Sequence, residues 1–155
     1  MIKDSGERRE FSTGAVRDIQ EGKGRTDLLP LLEVHNLLQH CYEESDMVLA
    51  DIYHFMQSGQ CAYIEYAILQ FCGHRGWDLP TAILEVSKHY EEGCKKYGDR
   101  NWEKGIPLHC YIDSGVRHYL KWLRGDDDEP HDRAFIWNML GLLWTYNHKP
   151  EMNDL

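Results

Sequence analysis

Three clusters of charged residues in this chain have the types and spacing that chemistry at phosphorus needs. Glu91-Glu92 and Lys95-Lys96 lie one helical turn apart in HYEEGCKKYGDRNWEKG, and Glu129 and Asp132 form E-x-x-D in DEPHD. Asp113 and Arg117 repeat the four-residue spacing in DSGVR. Carboxylates on two neighbouring helices, with no cysteine or histidine constellation apparent in the sequence, suit a hard, oxygen-preferring cation such as Mg2+ or Mn2+. Lysines one turn further on can neutralise phosphate oxygens held by the same ion. A site of this kind activates water for in-line displacement at phosphorus.

Helices must carry these groups. Pro80 opens one that runs to about Tyr97, with Asp78 as its cap and Gly98 as its stop. Pro107 opens a second, through about Leu123 to Gly125, and Pro130 a third, through about Tyr146. Upstream, Leu31, Val34, Leu37, Leu38 and Cys41 recur at helical spacing, as do Val48, Ile52, Phe55 and Met56. A third apolar segment, Tyr63 to Cys72, stops at GHRGWDLP. Strand signals are nearly absent, so the class is all-α. Residues 1–30 contain four glycines and no sustained apolar period. They read as an extended arm with one turn of helix near Ala15 to Gln20.

Helix faces sort the candidates. From Pro80 onward, Ile83, Tyr90, Cys94 and Tyr97 share the expected core stripe. Glu91 then lies at the core border with Lys95 one turn above it. Glu92 falls on the face of Glu85 and Lys88, where i,i+4 pairs on a solvated surface compete with a site role. In the last helix, Ile136, Met139, Leu140, Leu142, Leu143 and Trp144 surround the axis, which makes that helix central. Asn138 sits among them and needs hydrogen-bond partners if buried. Asp132 lies in line with Ile136 and Met139, whereas Asp127, Asp128 and Glu129 suit a helix N-terminus. His131 is either a satisfied buried histidine or a ligand. Asp113 and Arg117 read first as an ion pair, with Asp113 also a candidate metal ligand.

The chain has 155 residues, 42% hydrophobic and 28% charged, enough for one domain with a real core. A net charge of −9 argues against nucleic-acid polymers and membrane surfaces as partners, though not against a small anion at a locally cationic site. The arm itself balances six cations with six acids. Five cysteines without C-x-x-C point to reduced thiols. No apolar run approaches a membrane span and the N-terminus is polar from Lys3 onward, so a cytoplasmic protein is expected.

The blocks GERREFSTGAVRDIQEGKGRTDLLP, HYEEGCKKYGDRNWEKGIPL, DSGVRHYLKWLRG and DEPHDRAFIWNML resemble the dATP/dGTP diphosphohydrolase family, which is widespread in phages. The MazZ enzymes are among its relatives, within the all-α MazG-like nucleotide pyrophosphatase superfamily. The resemblance implies a helical bundle of MazG-like type. Its parts would be an N-terminal substrate-binding arm (1–30), a helical insertion (31–79), a metal-binding core (80–146) and a tail (147–155). It implies hydrolysis of dGTP, dATP or another purine nucleoside triphosphate to the monophosphate and pyrophosphate, with two or three Mg2+ or Mn2+ ions, and assembly as a dimer or tetramer.

Residue by residue, Glu91 and Glu92 match the first two acids of the E-E-x-x-E pattern of the superfamily, and Glu129 and Asp132 match its E-x-x-D. Lys95 replaces the third acid, for which Asp113 or Asp99 could compensate. Lys95 and Lys96 become phosphate contacts. Arg9, Arg17, Lys23 and Arg25 place cations on an arm that covers the substrate or bridges subunits, unless it is a solvated linker. Arg117 and Asn138 complete the substrate-binding candidates with Asn101 and Trp102. Trp102 either shapes the mouth of the site or anchors the turn.

Two other functions fit parts of the chain. His131-Asp132 is the H-D dipeptide of metal-dependent triphosphohydrolases, with His109 or His118 as the upstream histidine and only Asp154 available downstream. Lys95 in place of an acid would also suit a non-catalytic purine nucleotide-binding or sensing protein.

Overall fold

The computed structural model describes residues 4–42 and 46–155, and the first three residues of the arm lie outside them. Helices dominate, as the apolar periodicities require. They are α1 (Leu31–Gln39), α2 (Val48–Ser58), α3 (Cys61–Arg75), α4 (Leu79–Tyr97), α5 (Leu108–Arg124) and α6 (His131–His148). Short 3-10 turns occupy Thr26–Leu28, Asn101–Lys104 and Pro150–Met152.

Local chemistry sets the boundaries. The Asp78 carboxylate accepts the Thr81 N–H at 2.8 Å and caps α4. Gly125 ends α5 in the left-handed region at φ 87°, where a side chain would be strained, and turns the chain into α6. Pro107 and Pro130 occupy the cap positions just before α5 and α6.

α6 is the central element and packs against α5, α4 and α3, while α1, α2 and α3 pack in sequence order. Phe135, Ile136, Met139 and Leu142 of α6 are buried against Tyr111, Ile112 and Val116 of α5. Two glycines let these helices approach. A Cβ on Gly141 would strike the Tyr111 ring, and one on Gly115 would strike the Met139 methyl. Aromatic edges fill the remainder: Trp102 meets Trp144 at 5.0 Å and Tyr90 at 6.0 Å between ring centroids.

Two expectations change. The arm forms a hairpin, β1 (Arg8–Glu10) against β2 (Val16–Asp18), and Ala15 to Gln20 contributes a strand rather than a turn of helix. The buried stripe of α4 is Ala82, Val86 and His89, about one residue round from the expected one, and Ile83 and Cys94 face solvent. Among the described residues, no helix is long and apolar enough to cross a membrane.

Candidate functional site

The hairpin register sets Arg9 directly opposite Arg17. Opposed residues of an antiparallel pair project to one face, and like charges there repel. The neighbouring pair has opposite signs, with Arg8 bridging Asp18 at 3.0 Å. Arg9 and Arg17 border a cavity of about 500 Å³ that the arm closes against α4, α5 and α6, within the size range of small-molecule sites.

Side chains from the core hold the arm in place. Asn101 acts as a substitute strand: it accepts the Val16 N–H and donates to the Val16 carbonyl, both at 2.8 Å. The Thr13 hydroxyl donates to the Gly105 carbonyl at 2.5 Å. Lys96, with only 7% of its side chain exposed, donates to Asp18 at 2.9 Å. Asp113 accepts the Thr26 N–H at 2.8 Å, and its carbonyl accepts the Thr26 hydroxyl at 2.5 Å. Arg117 bridges the same carboxylate at 3.1 Å and donates to the Gly24 carbonyl at 3.1 Å.

The cavity wall carries Arg9, Arg17, Lys23, Arg117 and Lys121 against Asp18, Asp113 and Glu129. Asp18 and Asp113 are already engaged by the contacts just described. A chain of net charge −9 therefore presents a cationic interior surface here.

Arg17 is the clearest case. Its Nη2 donates to Asn138 Oδ1 at 2.9 Å, and its guanidinium carbon lies 5.4 Å from both the Tyr111 and Trp137 ring centres. Burial pulls its pKa down from the ordinary arginine value, which marks a cation taken out of water. Its Nη1 is buried without a protein partner, as are Arg9 Nε and His89 Nδ1. Among the described residues these are the buried side-chain nitrogens and oxygens left unpaired, and all three belong to the cavity wall. Burial also pushes His89 down to about 4, so it is neutral at pH 7.

The structure gathers some of the sequence candidates and scatters others. Arg9, Arg17, Lys23, Asn101, Asp113, Arg117, Glu129 and Asn138 line the cavity. Asn101 and Asn138 spend their amides on the fold, the latter donating to the Ala134 carbonyl at 2.8 Å while accepting from Arg17. Glu91 and Lys95 pair with each other at 3.6 Å with about 70% of each side chain in solvent. The one-residue rotation of α4 explains this: it turns Glu91 outward and brings Gly93 and Tyr97 to the cavity. Glu92 is half-buried and is not part of the wall. Lys96 clamps the arm, Arg25 pairs with Asp27 at 2.6 Å, and Trp102 anchors the turn through Trp144 and Tyr90. Asp132 pairs with Arg75 at 3.0 Å.

Among the described residues, the groups of three ligand atoms lying within 4.8 Å of one another contain none of Glu91, Glu92, Asp113 and Asp132. Of the five carboxylates singled out in the sequence, Glu129 alone belongs to such a compact group, and its companions there are two histidines rather than another carboxylate. The H-D set is split: His118 and His131 meet with Nδ1 atoms 2.9 Å apart, whereas Asp132 pairs with Arg75 at 3.0 Å and Asp154 with His109 at 2.5 Å.

Some wall residues escape sequence reasoning. His89 reads as polar and so drops out of an apolar stripe, although its spacing from Val86 and Gly93 is helical. Asp18 and Lys121 look like ordinary surface charges. By contrast, His118 on α5, which lines the cavity, and His131 at the start of α6 both belong to the H-D reading, and their Nδ1 atoms meet 2.9 Å apart across the turn at Gly125.

No curated protein and no solved structure gives a match to the chain. A family model described as "dATP/dGTP diphosphohydrolase, N-terminal" matches residues 64–155, from within α3 to the last residue and more than half of the chain. The chain belongs to the dATP/dGTP diphosphohydrolase family and is, by that membership, a nucleoside triphosphate pyrophosphatase.

Proposed function

We propose that the arm-closed cavity binds a purine deoxynucleoside triphosphate, dATP or dGTP, and that the protein releases the monophosphate and pyrophosphate. One observation carries this assignment. The buried, partnerless nitrogens of Arg9 and Arg17 sit on opposed strand positions in a wall with five cations and three acids. A buried donor without a partner costs about 1–3 kcal/mol, and a bound polyanion would recover that cost.

In this arrangement Arg9 and Arg17 hold the phosphates from the arm side, and Arg117 and Lys121 hold them from α5. Planar guanidinium groups present paired donors that match phosphate oxygens. Lys23, on the glycine-bounded segment of the arm, closes the chain of cations and helps exclude bulk water. Neutral His89 offers a ring nitrogen to an uncharged group of the sugar or base. The faces of Tyr97 and Trp137 in the wall suit a purine ring.

The triphosphate enters as its Mg2+ or Mn2+ complex, and water is the nucleophile at the α-phosphorus. Self-association as a dimer or tetramer belongs to the same proposal. Tyr66 and Leu69 of α3, with Ile83 and Leu84 of α4, supply exposed apolar surface for it.

Product analysis tests the reaction. The protein is incubated with the four deoxynucleoside triphosphates and with ATP and GTP, each with Mg2+ or Mn2+. Monophosphate and pyrophosphate from the purines are expected. Nucleoside and triphosphate would instead establish H-D-type chemistry, and binding without turnover would establish a sensor.

A further inference from the structure

We propose that His118, Glu129 and His131 form a resident site for one divalent transition-metal ion, at the wall of the cavity. The three facing atoms are His118 Nδ1, His131 Nδ1 and Glu129 Oε1. Their separations are 2.9 Å between the nitrogens, and 3.7 and 3.8 Å from the carboxylate oxygen to His118 and His131. A triangle with these sides has a circumradius of about 2.0 Å, the usual length of a metal–imidazole or metal–carboxylate bond. A point about 2.0 Å from all three atoms therefore exists, and an ion there takes the place of the proton shared by the two nitrogens.

The surroundings have the form of a metal site. The other ring nitrogen of His131, Nε2, donates to Asp128 Oδ1 at 2.7 Å. This leaves the lone pair on Nδ1, facing His118 and Glu129. A carboxylate behind a ligating histidine fixes the tautomer and raises the basicity of the ring. His131 is buried, and His118 and Glu129 are largely so, which limits competition from water. Since His118 and Glu129 also line the cavity, an ion here would keep a coordination position on the substrate side. The neighbouring group formed by Asp126, Asp128 and His131 is the poorer candidate, because Arg124 already binds both oxygens of Asp126.

Two imidazoles and one carboxylate select the ion. Nitrogen ligands favour Mn2+, Fe2+, Co2+ or Zn2+ over Mg2+ and Ca2+, and a three-ligand set leaves open positions. The site does not depend on the proposed nucleotide reaction and is tested without nucleotide.

The full-length protein, stripped with a chelator and dialysed, is titrated with Co2+ while visible absorbance is followed, and Zn2+ binding is measured by competition with a chromophoric indicator. We expect one ion per chain, a rise in melting temperature, and no displacement by a thousandfold excess of Mg2+. Asp128→Asn should weaken binding about 10- to 100-fold, and Glu129→Gln and His118→Ala at least as much. Far-UV circular dichroism establishes that each variant is folded. Because Asp128 and Glu129 lie at a helix start, their amide variants keep the test available if a histidine variant fails to fold. Binding of less than one ion per chain, ready displacement by Mg2+, or wild-type affinity in Asp128→Asn and Glu129→Gln would overturn the assignment. Stoichiometric binding without nucleotide turnover would leave the metal site standing and remove the proposed reaction.

Discussion

Replacing Arg17 with methionine separates binding from stability. The substitution keeps the length of an apolar stem between Tyr111 and Trp137 but removes the charge. Without substrate, the losses are one hydrogen bond from a charged donor to Asn138, worth about 1.5–3 kcal/mol, and two cation–ring contacts of about 0.5–2 kcal/mol each. Against these stand the relief of a buried, unpaired Nη1, worth about 1–3 kcal/mol, and the removal of repulsion from Arg9 across the hairpin. The terms offset one another in part, so folding free energy should fall by no more than about 3 kcal/mol. With substrate present, the variant loses a charge-assisted hydrogen bond of about 1.5–3 kcal/mol, equivalent to about 10- to 150-fold in affinity. Urea denaturation measures the first quantity. Calorimetric titration with a non-hydrolysable dGTP analogue, together with pyrophosphate release over a range of dGTP, measures the second. Arg25→Met is the control, since Arg25 is paired with Asp27 and is not part of the cavity wall. A folded Arg17→Met protein with affinity and KM within about threefold of wild type would refute the role given to Arg17.

Four further outcomes follow from the same geometry. Gly141→Ala should destabilise the protein by about 1–3 kcal/mol through overpacking against Tyr111, measured by chemical denaturation. Asn101→Ala removes both hydrogen bonds to Val16, so limited proteolysis should cut the arm faster and KM for the triphosphate should rise. Stability should fall on acidification. His89 takes up its proton near 6.5 when unfolded but only near 4 when folded, so its contribution is complete above pH 6.5 and is lost as pH falls towards 4. That amounts to about 2 kcal/mol by pH 5, and His89→Gln should flatten this part of the profile. Glu91→Gln should change activity less than about threefold and stability by under about 0.5 kcal/mol, since it breaks only an exposed i,i+4 pair; loss of turnover in that variant would return Glu91 to the site.

The helical framework was legible because its punctuation is local. Asp78, Pro80, Gly98, Pro107, Gly125 and Pro130 act on their own turns of backbone, and α4, α5 and α6 begin and end within a residue or two of the positions these imply. The arm was less legible, because three-residue strands carry no periodicity and the second strand is held from outside, by Asn101, 85 residues from Val16. The rotation of α4 has a similar cause. Hydrophobicity alone favoured Ile83 and Cys94, whereas the structure packs Ala82 and Val86 into the apolar core and, further along the same face, sets His89 in the wall of the cavity. Arg9, Arg17, Lys23, Asp113, Arg117 and Glu129 were singled out by residue type and resemblance, and the fold brings them together. His118 and His131 were named together only within the H-D alternative, and that their Nδ1 atoms meet depends on the register between α5 and α6.

A crystal structure of the protein with a non-hydrolysable deoxypurine triphosphate would locate the phosphates. Phosphate oxygens within hydrogen-bonding distance of Arg9 Nε and Arg17 Nη1, beneath the hairpin, are expected. A nucleotide seated instead on the exposed face of α4, held by Glu91 and Lys95 with the arm cavity unchanged, would contradict the assignment.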